Sequence, residues 1–245
     1  MSSWLGAGTT GTGTVDISTA EVGVRRPSLL AFVDYNHLYY KNKNDLDANG
    51  RLLTFSDRKA NAFTPPITAT TAAQFTEWTN GQYGLSLNSS RGTFRSSSVL
   101  IPSSGSWTLM ALFTQTVGSD GYPFANNDTS NYVSAGFLST NALRVNWGSV
   151  VTFDPASSTN DGNPCSLILS WDSGAGKLRT FLNNVEKDDR STTAPTMTDR
   201  ELICGGRRNA ASVTGVIEGT LNSVLLFSEA GDDGSAFISK LKAFG

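Results

Sequence analysis

One hairpin-like stretch, residues 166–185, constrains the fold more than any other part of the chain. Residues 166–171 form an apolar run of strand length, and residues 177–182 alternate between two faces. Between them lies Asp172-Ser-Gly-Ala-Gly176, which is rich in residues that accept positive φ. Two β-type runs joined by five residues that include glycine predict a β-hairpin.

The same alternation recurs along the chain and predicts an all-β domain. The longest β-type run, residues 107–115, is apolar on nearly both faces, which is typical of a central strand covered on both sides. About ten or more short strands with turn residues between them favour a two-sheet sandwich. The predicted core comprises Trp107, Leu109, Phe113, Leu167, Leu169, Trp171, Val224 and Leu226.

Other segments are predicted from local patterns. Residues 28–34 and 51–57 have the composition of buried strands, and residues 61–79 form a long connection with prolines and threonines. Within that connection, residues 72–78 favour a single helical turn. Residues 186–189 are all charged and predict a solvated loop.

The order of these features resembles a known superfamily. The strand, Trp-Asp, glycine-rich turn, alternating strand and Asn-Asn turn of residues 166–184 resemble laminin G-like and pentraxin-like members of the concanavalin A-like lectin/glucanase superfamily. Residues 202–241 resemble the closing strand pair and short helix of the same domains. The resemblance implies a concanavalin A-like, antiparallel jelly-roll sandwich over residues 28–245. A short C-terminal helix is indicated by the spacing of Phe237, Ile238, Leu241 and Phe244.

Residues 1–27 differ in kind and predict an extended N-terminal arm. They are rich in glycine and threonine, and too poor in apolar side chains to offset the entropy of ordering by themselves. We expect the arm to become ordered against a partner chain; the alternative is a loose terminus. The residues expected to make its contacts are Trp4, Leu5, Val15, Ile17, Val22 and Val24.

Charge and composition exclude several classes of protein. The net charge is −2, and no stripe of lysine and arginine predicts nucleic-acid binding. No apolar run reaches the roughly 18–20 residues that a membrane span requires. The first residues lack the basic and apolar regions of a secretory signal, so we expect synthesis in a cytoplasm. Cys165 and Cys204 are expected to be half-buried thiols that pack as small hydrophobic side chains rather than to form a disulfide.

The sequence lacks the catalytic residues that enzymes of the resembled superfamily carry. Its glucanases carry a Glu-x-Asp-x-Glu strand, which places an acid and a nucleophile on one face. This chain has no such triplet, and residues 186–189 have a different spacing. His37 is the only histidine, which leaves no Ser-His-acid set and no cluster of histidine and cysteine for a metal. We therefore expect that the chain is not an enzyme.

One oxygen-rich segment, residues 119–128, is the candidate binding loop. Asp120, Asn126, Asn127 and Asp128 offer the oxygen ligands that Ca²⁺ prefers, and the resemblance implies calcium as the one cofactor to consider. Tyr122 or Phe124 would stack on a sugar. The competing interpretation is a long turn held by Asx hydrogen bonds.

Three functional hypotheses follow. The resemblance implies a virion structural or accessory protein of a tailed bacteriophage, as a capsid decoration, tail or fibre component held to other virion proteins by its arm. By analogy with such proteins we expect a homo-oligomer, specifically a trimer. The second hypothesis is a carbohydrate-binding lectin module that recognises a host surface glycan. The third is a degenerate glucanase.

Overall fold

The structure is a computed structural model, and not all of the chain is described. The predicted N-terminal arm, residues 1–27 with Trp4 and Leu5, lies outside the described residues, as does the predicted C-terminal helix. The described residues are 28–41, 48–49, 51–52, 54–65, 74–79, 81–88, 93–148, 151–155, 159–209 and 212–230.

The described residues form strands almost throughout, with a single short helix. In chain order the elements are β1 (Leu29–Asp34), α1 (Tyr35–Lys41), β2 (Phe55–Ser56), β3 (Ala62–Thr64), β4 (Gln74–Thr79), β5 (Gln82–Leu87), β6 (Phe94–Val99), β7 (Trp107–Gln115), β8 (Gly121–Asn126), β9 (Val133–Phe137), β10 (Leu143–Trp147), β11 (Val151–Phe153), β12 (Cys165–Asp172), β13 (Lys177–Leu182), β14 (Val185–Ser191), β15 (Glu201–Cys204), β16 (Arg207–Asn209), β17 (Ser212–Thr214) and β18 (Gly219–Phe227).

Two antiparallel sheets of eight strands each form a sandwich, which confirms the predicted jelly-roll fold class. The first sheet has the order β14-β13-β12-β7-β18-β5-β4, with β1 pairing alongside β18. The second has the order β11-β10-β9-β8-β15-β6-β3-β2. Strands β16 and β17 form a separate hairpin. Among the described helices, none has the length and hydrophobicity that crossing a bilayer requires.

The hairpin predicted from residues 166–185 is β12 and β13, with Leu169 opposite Thr180. Asn183 and Asn184 form the next turn with φ of 53° and 65°. Both values lie in the left-handed region, which asparagine tolerates better than other non-glycine residues. The Asn183 Oδ1 also accepts a hydrogen bond from the amide of Ser166 at 3.0 Å, which ties the turn to the start of β12.

The core lies between the sheets, and β7 is central in the first sheet because it pairs with both β12 and β18. All eight residues predicted for the core are at most 4% exposed, so that prediction is confirmed. Trp147 of the second sheet lies between Trp107 and Trp171 of the first, with ring centroids 5.3 and 5.4 Å apart. The indole of Trp147 donates to the carbonyl of Thr193 at 2.8 Å, which satisfies its polar group.

The outer face of the first sheet is apolar and buried as well. Met110 and Leu112 of β7 and Ile168 of β12 alternate with the core residues and are at most 1% exposed. The two-sided apolar pattern of residues 107–115 therefore identified a strand covered on both faces. No disulfide joins Cys165 and Cys204, as expected, and both side chains are buried rather than half-buried.

Three local predictions were wrong. The helical turn predicted at 72–78 is strand β4, and the strand predicted at 51–57 shrinks to β2. The charged segment 186–189 lies in β14, an edge strand that pairs only with β13 in its sheet. An edge strand with both faces near solvent needs no apolar alternation, so its sequence resembles a loop.

Candidate functional site

Helix α1 begins directly where β1 ends, and the junction residue Asp34 caps it. The Asp34 Oδ1 accepts a hydrogen bond from the amide of His37 at 2.9 Å, which is the usual bond of an N-cap aspartate. Its other oxygen lies 3.7 Å from the Arg58 guanidinium, and both side chains are about 5% exposed or less. Burial raises the pKa of Asp34, while the His37 amide and Arg58 oppose that rise.

Tyrosines of α1 and β5 form the most distinctive surface feature in the described part of the chain. The rings of Tyr39 and Tyr83 stack with centroids 3.9 Å apart and an interplanar angle of 12°. Tyr40 stands nearly perpendicular to both, at 77° to Tyr39 and 90° to Tyr83. Tyr40 is 36% exposed. Phe75 of β4 packs against Tyr39 at 5.7 Å and supports it from the sheet. We call Tyr39, Tyr40 and Tyr83 the tyrosine cluster.

The backbone of Tyr83 is held on both sides by buried amides. The Asn36 Oδ1 accepts from the amide of Tyr83 at 2.8 Å, and the Asn222 Nδ2 donates to its carbonyl at 2.9 Å. Both asparagines are 4% exposed. Because these bonds join α1, β5 and β18, the Tyr83 ring is placed by the scaffold and not by a flexible loop.

The β4–β5 hairpin supplies the rim of the cluster. The Tyr40 hydroxyl donates to the Gly81 carbonyl at 3.3 Å, and the Gly81 amide donates to Glu77 Oε1 at 2.8 Å. Gly81 has φ of 77° with open space around it. One exposed carboxylate thus lies beside three tyrosine rings.

The electrostatics of the cluster agree with this geometry. The pKa of Tyr40 is raised, first by burial and then by Tyr39 and the negative charge of Glu77. The pKa of Tyr83 is raised as well, first by its side-chain hydrogen bond with Tyr39, with Glu77 again contributing. Tyr40 and Tyr83 therefore stay neutral over the physiological range and offer aromatic faces together with hydroxyl groups.

The five residues predicted as a binding loop are not brought together. Residues 121–126 are strand β8, so the prediction of a loop is wrong there. Asp120 precedes the strand and Asp128 follows it, which separates them by about 20 Å at the usual rise of a strand. All ligand oxygens of one Ca²⁺ ion lie within about 2.6 Å of it, so Asp120 and Asp128 do not bind the same ion. Asp120 Oδ1 instead accepts from the amide of Ser139 at 2.6 Å.

Asn126, Asn127 and Asp128 are buried and join three segments of the second sheet. Asn126 Oδ1 accepts from the Val133 amide at 2.8 Å, and Asn127 Nδ2 donates to Asp199 at 2.6 Å. These oxygens and amides serve the turn, which is the Asx interpretation weighed from the sequence. Asn127 Oδ1 is buried without a hydrogen bond.

Asp128 is the most strongly held carboxylate of the group. Its Oδ1 accepts from the amides of Ser130 and Asn131 at 3.0 and 3.1 Å. Its Oδ2 accepts from both the amide and the hydroxyl of Thr198 at 2.7 Å each. Burial alone raises the pKa of Asp128, but these hydrogen bonds outweigh it and hold the pKa well below its ordinary value.

Tyr122 is the second residue of β8 and is 3% exposed. The Arg207 guanidinium lies between its ring and that of Tyr132, 4.8 Å from each centroid. A sugar would have to displace Arg207 to stack on Tyr122. The described residues contain no group of three or more His, Cys, Asp or Glu arranged to hold a metal ion. Calcium binding therefore stays a prediction from the sequence.

Sequence reasoning missed the tyrosine cluster as a site. The aspartate before residues 35–41 indicates a helix start and would have predicted α1. Nothing in the sequence pairs Tyr83 with a residue 44 positions before it, since that contact depends on α1 packing against β5.

Of the known proteins compared with this chain, those that match are solved structures. No protein-family model matches the sequence, and no curated protein matches it. A Trypanosoma rangeli sialidase, captured as a covalent intermediate with difluorosialic acid, aligns with 89% of this chain at 12% identity and a TM-score of 0.59. NanB sialidase from Streptococcus pneumoniae aligns with 55% of the chain at 14% identity and a TM-score of 0.45. The CBM40 of a Ruminococcus gnavus IT-sialidase, bound to α2,3 sialyllactose, aligns with 56% at 10% identity and a TM-score of 0.46.

These proteins differ greatly from the chain in length. The match covers 33% of the T. rangeli sialidase and 24% of NanB, against 82% of the CBM40. The chain thus spans about a third or less of the two enzymes' structures.

The expectation that the chain is not an enzyme is corrected by these matches, because the solved structures similar to this chain include sialidases. That expectation rests on a missing Glu-x-Asp-x-Glu triplet and a single histidine. That triplet belongs to glucanases, so its absence speaks only about one kind of glycosidase chemistry. What the comparisons establish is the fold: the chain is a jelly-roll β-sandwich similar to part of a sialidase structure.

Proposed function

We propose that this chain is a carbohydrate-binding β-sandwich whose tyrosine cluster is the contact surface for a sugar ring. The observation that carries the proposal is the arrangement of Tyr39, Tyr40 and Tyr83 at the β4 edge of the first sheet. Partly exposed aromatic rings beside a polar group are the usual lining of small-ligand sites. The similarity to sialidase structures supports the scaffold and does not assign the ligand.

One face of the Tyr83 ring carries no other described aromatic ring and is available to a sugar. Tyr39 covers one face of Tyr83, Tyr40 meets that ring edge-on, and no other described ring packs on it. A sugar has one face of C–H groups that fits an aromatic face, and hydroxyls at its edge. The hydroxyls of Tyr40 and Tyr83 and the carboxylate of Glu77 lie where such edge groups would be bound.

Tyrosine is well suited to this use because it has few rotatable bonds. It supplies large contact area at low cost in conformational entropy. The amide bonds from Asn36 and Asn222 to Tyr83 reduce that cost further, because the ring is placed before any ligand arrives.

A glycan array probed with the full chain tests the proposal. We expect binding by the unaltered protein and its loss in Tyr83→Ala, with circular dichroism unchanged. The matched control is Tyr132→Ala, which removes a tyrosine at the second sheet beside Arg207. If no glycan binds, or if Tyr83→Ala binds as the unaltered protein does, the proposal is wrong.

The virion role stays a prediction from the sequence. It rests on residues 1–27, which we propose as the arm that binds other virion proteins, and on the expected trimer of the chain. Limited proteolysis tests the arm: a chain trimmed of these residues should no longer assemble with its partners. Assembly at unchanged occupancy after trimming would show a loose terminus.

A further inference from the structure

We propose that the tyrosine cluster selects uncharged sugars over acidic ones, with Glu77 as the residue that determines this specificity. The inference rests on the proposed function and deepens it, because it names the class of sugar. It is independent of the sialidase comparison, whose ligands are acidic.

The first step is the position of Glu77. It is exposed on β4, and its Oε1 accepts from the Gly81 amide at 2.8 Å. The Gly81 carbonyl in turn accepts from the Tyr40 hydroxyl at 3.3 Å. One glycine residue therefore links the carboxylate to the tyrosine cluster and fixes it at the rim.

The second step is the absence of a compensating charge. Within the described part of the chain, no lysine, arginine or histidine side chain forms an ion pair with Glu77. The negative charge of Glu77 is among the causes that raise the pKa values of Tyr40 and Tyr83, so this carboxylate acts on both rings.

The third step is what that charge does to a ligand. An ionised carboxylate only accepts hydrogen bonds, and its two oxygens suit adjacent hydroxyl groups of a neutral sugar. A sugar carboxylate held a few ångströms away is repelled by about 1 kcal/mol in water and by more near a protein surface, which is about fivefold in affinity at minimum. Hydrogen bonding to Glu77 and repulsion of a sugar carboxylate therefore both favour neutral sugars over acidic ones.

Calorimetric titration with matched sugars tests the inference. The probes are lactose, cellotriose and mannotriose as neutral sugars, and α2,3-sialyllactose as the acidic counterpart of lactose. We expect a neutral probe to bind at least about fivefold more tightly than α2,3-sialyllactose. In the Glu77→Gln variant, the ratio of the affinity for the neutral probe to the affinity for α2,3-sialyllactose should fall several-fold. Glu186→Gln, an exposed glutamate on β14, should leave the ratio unchanged.

The outcomes separate the two proposals. If α2,3-sialyllactose binds more tightly than every neutral probe and Tyr83→Ala abolishes its binding, the selectivity is wrong and carbohydrate binding stands. If Glu77→Gln leaves the ratio unchanged, Glu77 is not the determinant. If neither neutral nor acidic probes bind, the proposed function itself fails and the inference with it.

Discussion

The Asn36 side chain and the Tyr83 backbone amide are hydrogen-bonded at 2.8 Å, although 47 residues separate them in the chain. This partly buried bond joins helix α1 to strand β5 and positions one ring of the tyrosine cluster. A first prediction follows from it. Asn36→Ala leaves the Tyr83 amide without its acceptor, at a cost of about 1–3 kcal/mol. Amide exchange at Tyr83, followed by NMR, should accelerate.

The same variant should also weaken sugar binding, because Tyr83 loses its fixed position while every ring remains present. Asn163→Ala, at an exposed asparagine, serves as the control. An equally protected Tyr83 amide in Asn36→Ala would refute the positioning role.

The second prediction concerns pH and Asp128. Its pKa lies well below the ordinary value of 3.8 in the folded chain. The ionised group therefore stabilises the fold above that pH, and this stabilisation is lost as the pH falls from about 4 towards the lowered pKa. Asp128→Asn should be less stable than the unaltered chain at pH 7.

The difference in the free energy of unfolding should shrink as the pH falls below about 4, because Asp128 of the unfolded chain then binds a proton while Asp128 of the folded chain does not. Urea denaturation at pH 7, 5 and 3 measures the difference. A gap that stays constant across this range would contradict the assignment.

The third prediction tests the core. Leu169 is fully buried in β12, opposite Leu109 of β7. Leu169→Ala should lower the free energy of unfolding by about 2–5 kcal/mol, from lost burial and from the cavity left behind. Val185→Ala, at a side chain that is 55% exposed, should change it by less than about 0.5 kcal/mol. Equal effects would show that Leu169 is misplaced.

The fourth prediction concerns the turn between β13 and β14. Asn184 has φ of 65°, in the left-handed region. This conformation costs most residues with a Cβ about 1 kcal/mol or more, whereas asparagine and glycine adopt it more readily. Asn184→Ala should therefore destabilise the chain by about that amount, while Asn184→Gly should be neutral or slightly stabilising. Thermal denaturation of the two variants decides; a more stable alanine variant would rule out the left-handed turn.

The fifth prediction concerns the contact between β8 and β9. A Cβ added to Gly136 would collide with the Gly121 carbonyl and lie 2.7 Å from the Tyr122 Cα, both backbone atoms that cannot rotate away. Gly136→Ala should cost about 3 kcal/mol or more. Gly174→Ala, whose Cβ would meet only the Asp172 side chain at 3.4 Å, should be tolerated. Similar losses in both variants would argue against the close approach.

Sequence reasoning recovered the fold where strands alternate or are buried on both faces. The limits predicted for β7 and β13 agree with the structure, because Trp107 and Lys177 begin runs whose pattern is unbroken. It failed at β14 and β4. Residues such as Asp188 and Glu77 carry no burial pattern there, and pairing with a neighbouring strand sets the conformation instead.

The candidate site was harder to predict than the fold. Asp128 and Asn127 were recognised as oxygen-rich residues, but their hydrogen bonds go to Thr198 and Asp199, about 70 positions later in the chain. A local sequence pattern identifies oxygen atoms and does not reveal which distant donors already occupy them. Tyr83 was missed for the related reason that its ring partners are remote in sequence.

The charged strand β14 has a consequence for assembly. Glu186, Lys187, Asp188, Asp189 and Arg190 line one free edge of the first sheet. Asp189 is already engaged by Lys177 at 3.1 Å, and Asp188 by Arg190 at 2.7 Å. An incoming strand would meet this dense row of charges of both signs and would have to match it residue by residue. We therefore expect any β-sheet shared between subunits to form at another border of the sandwich.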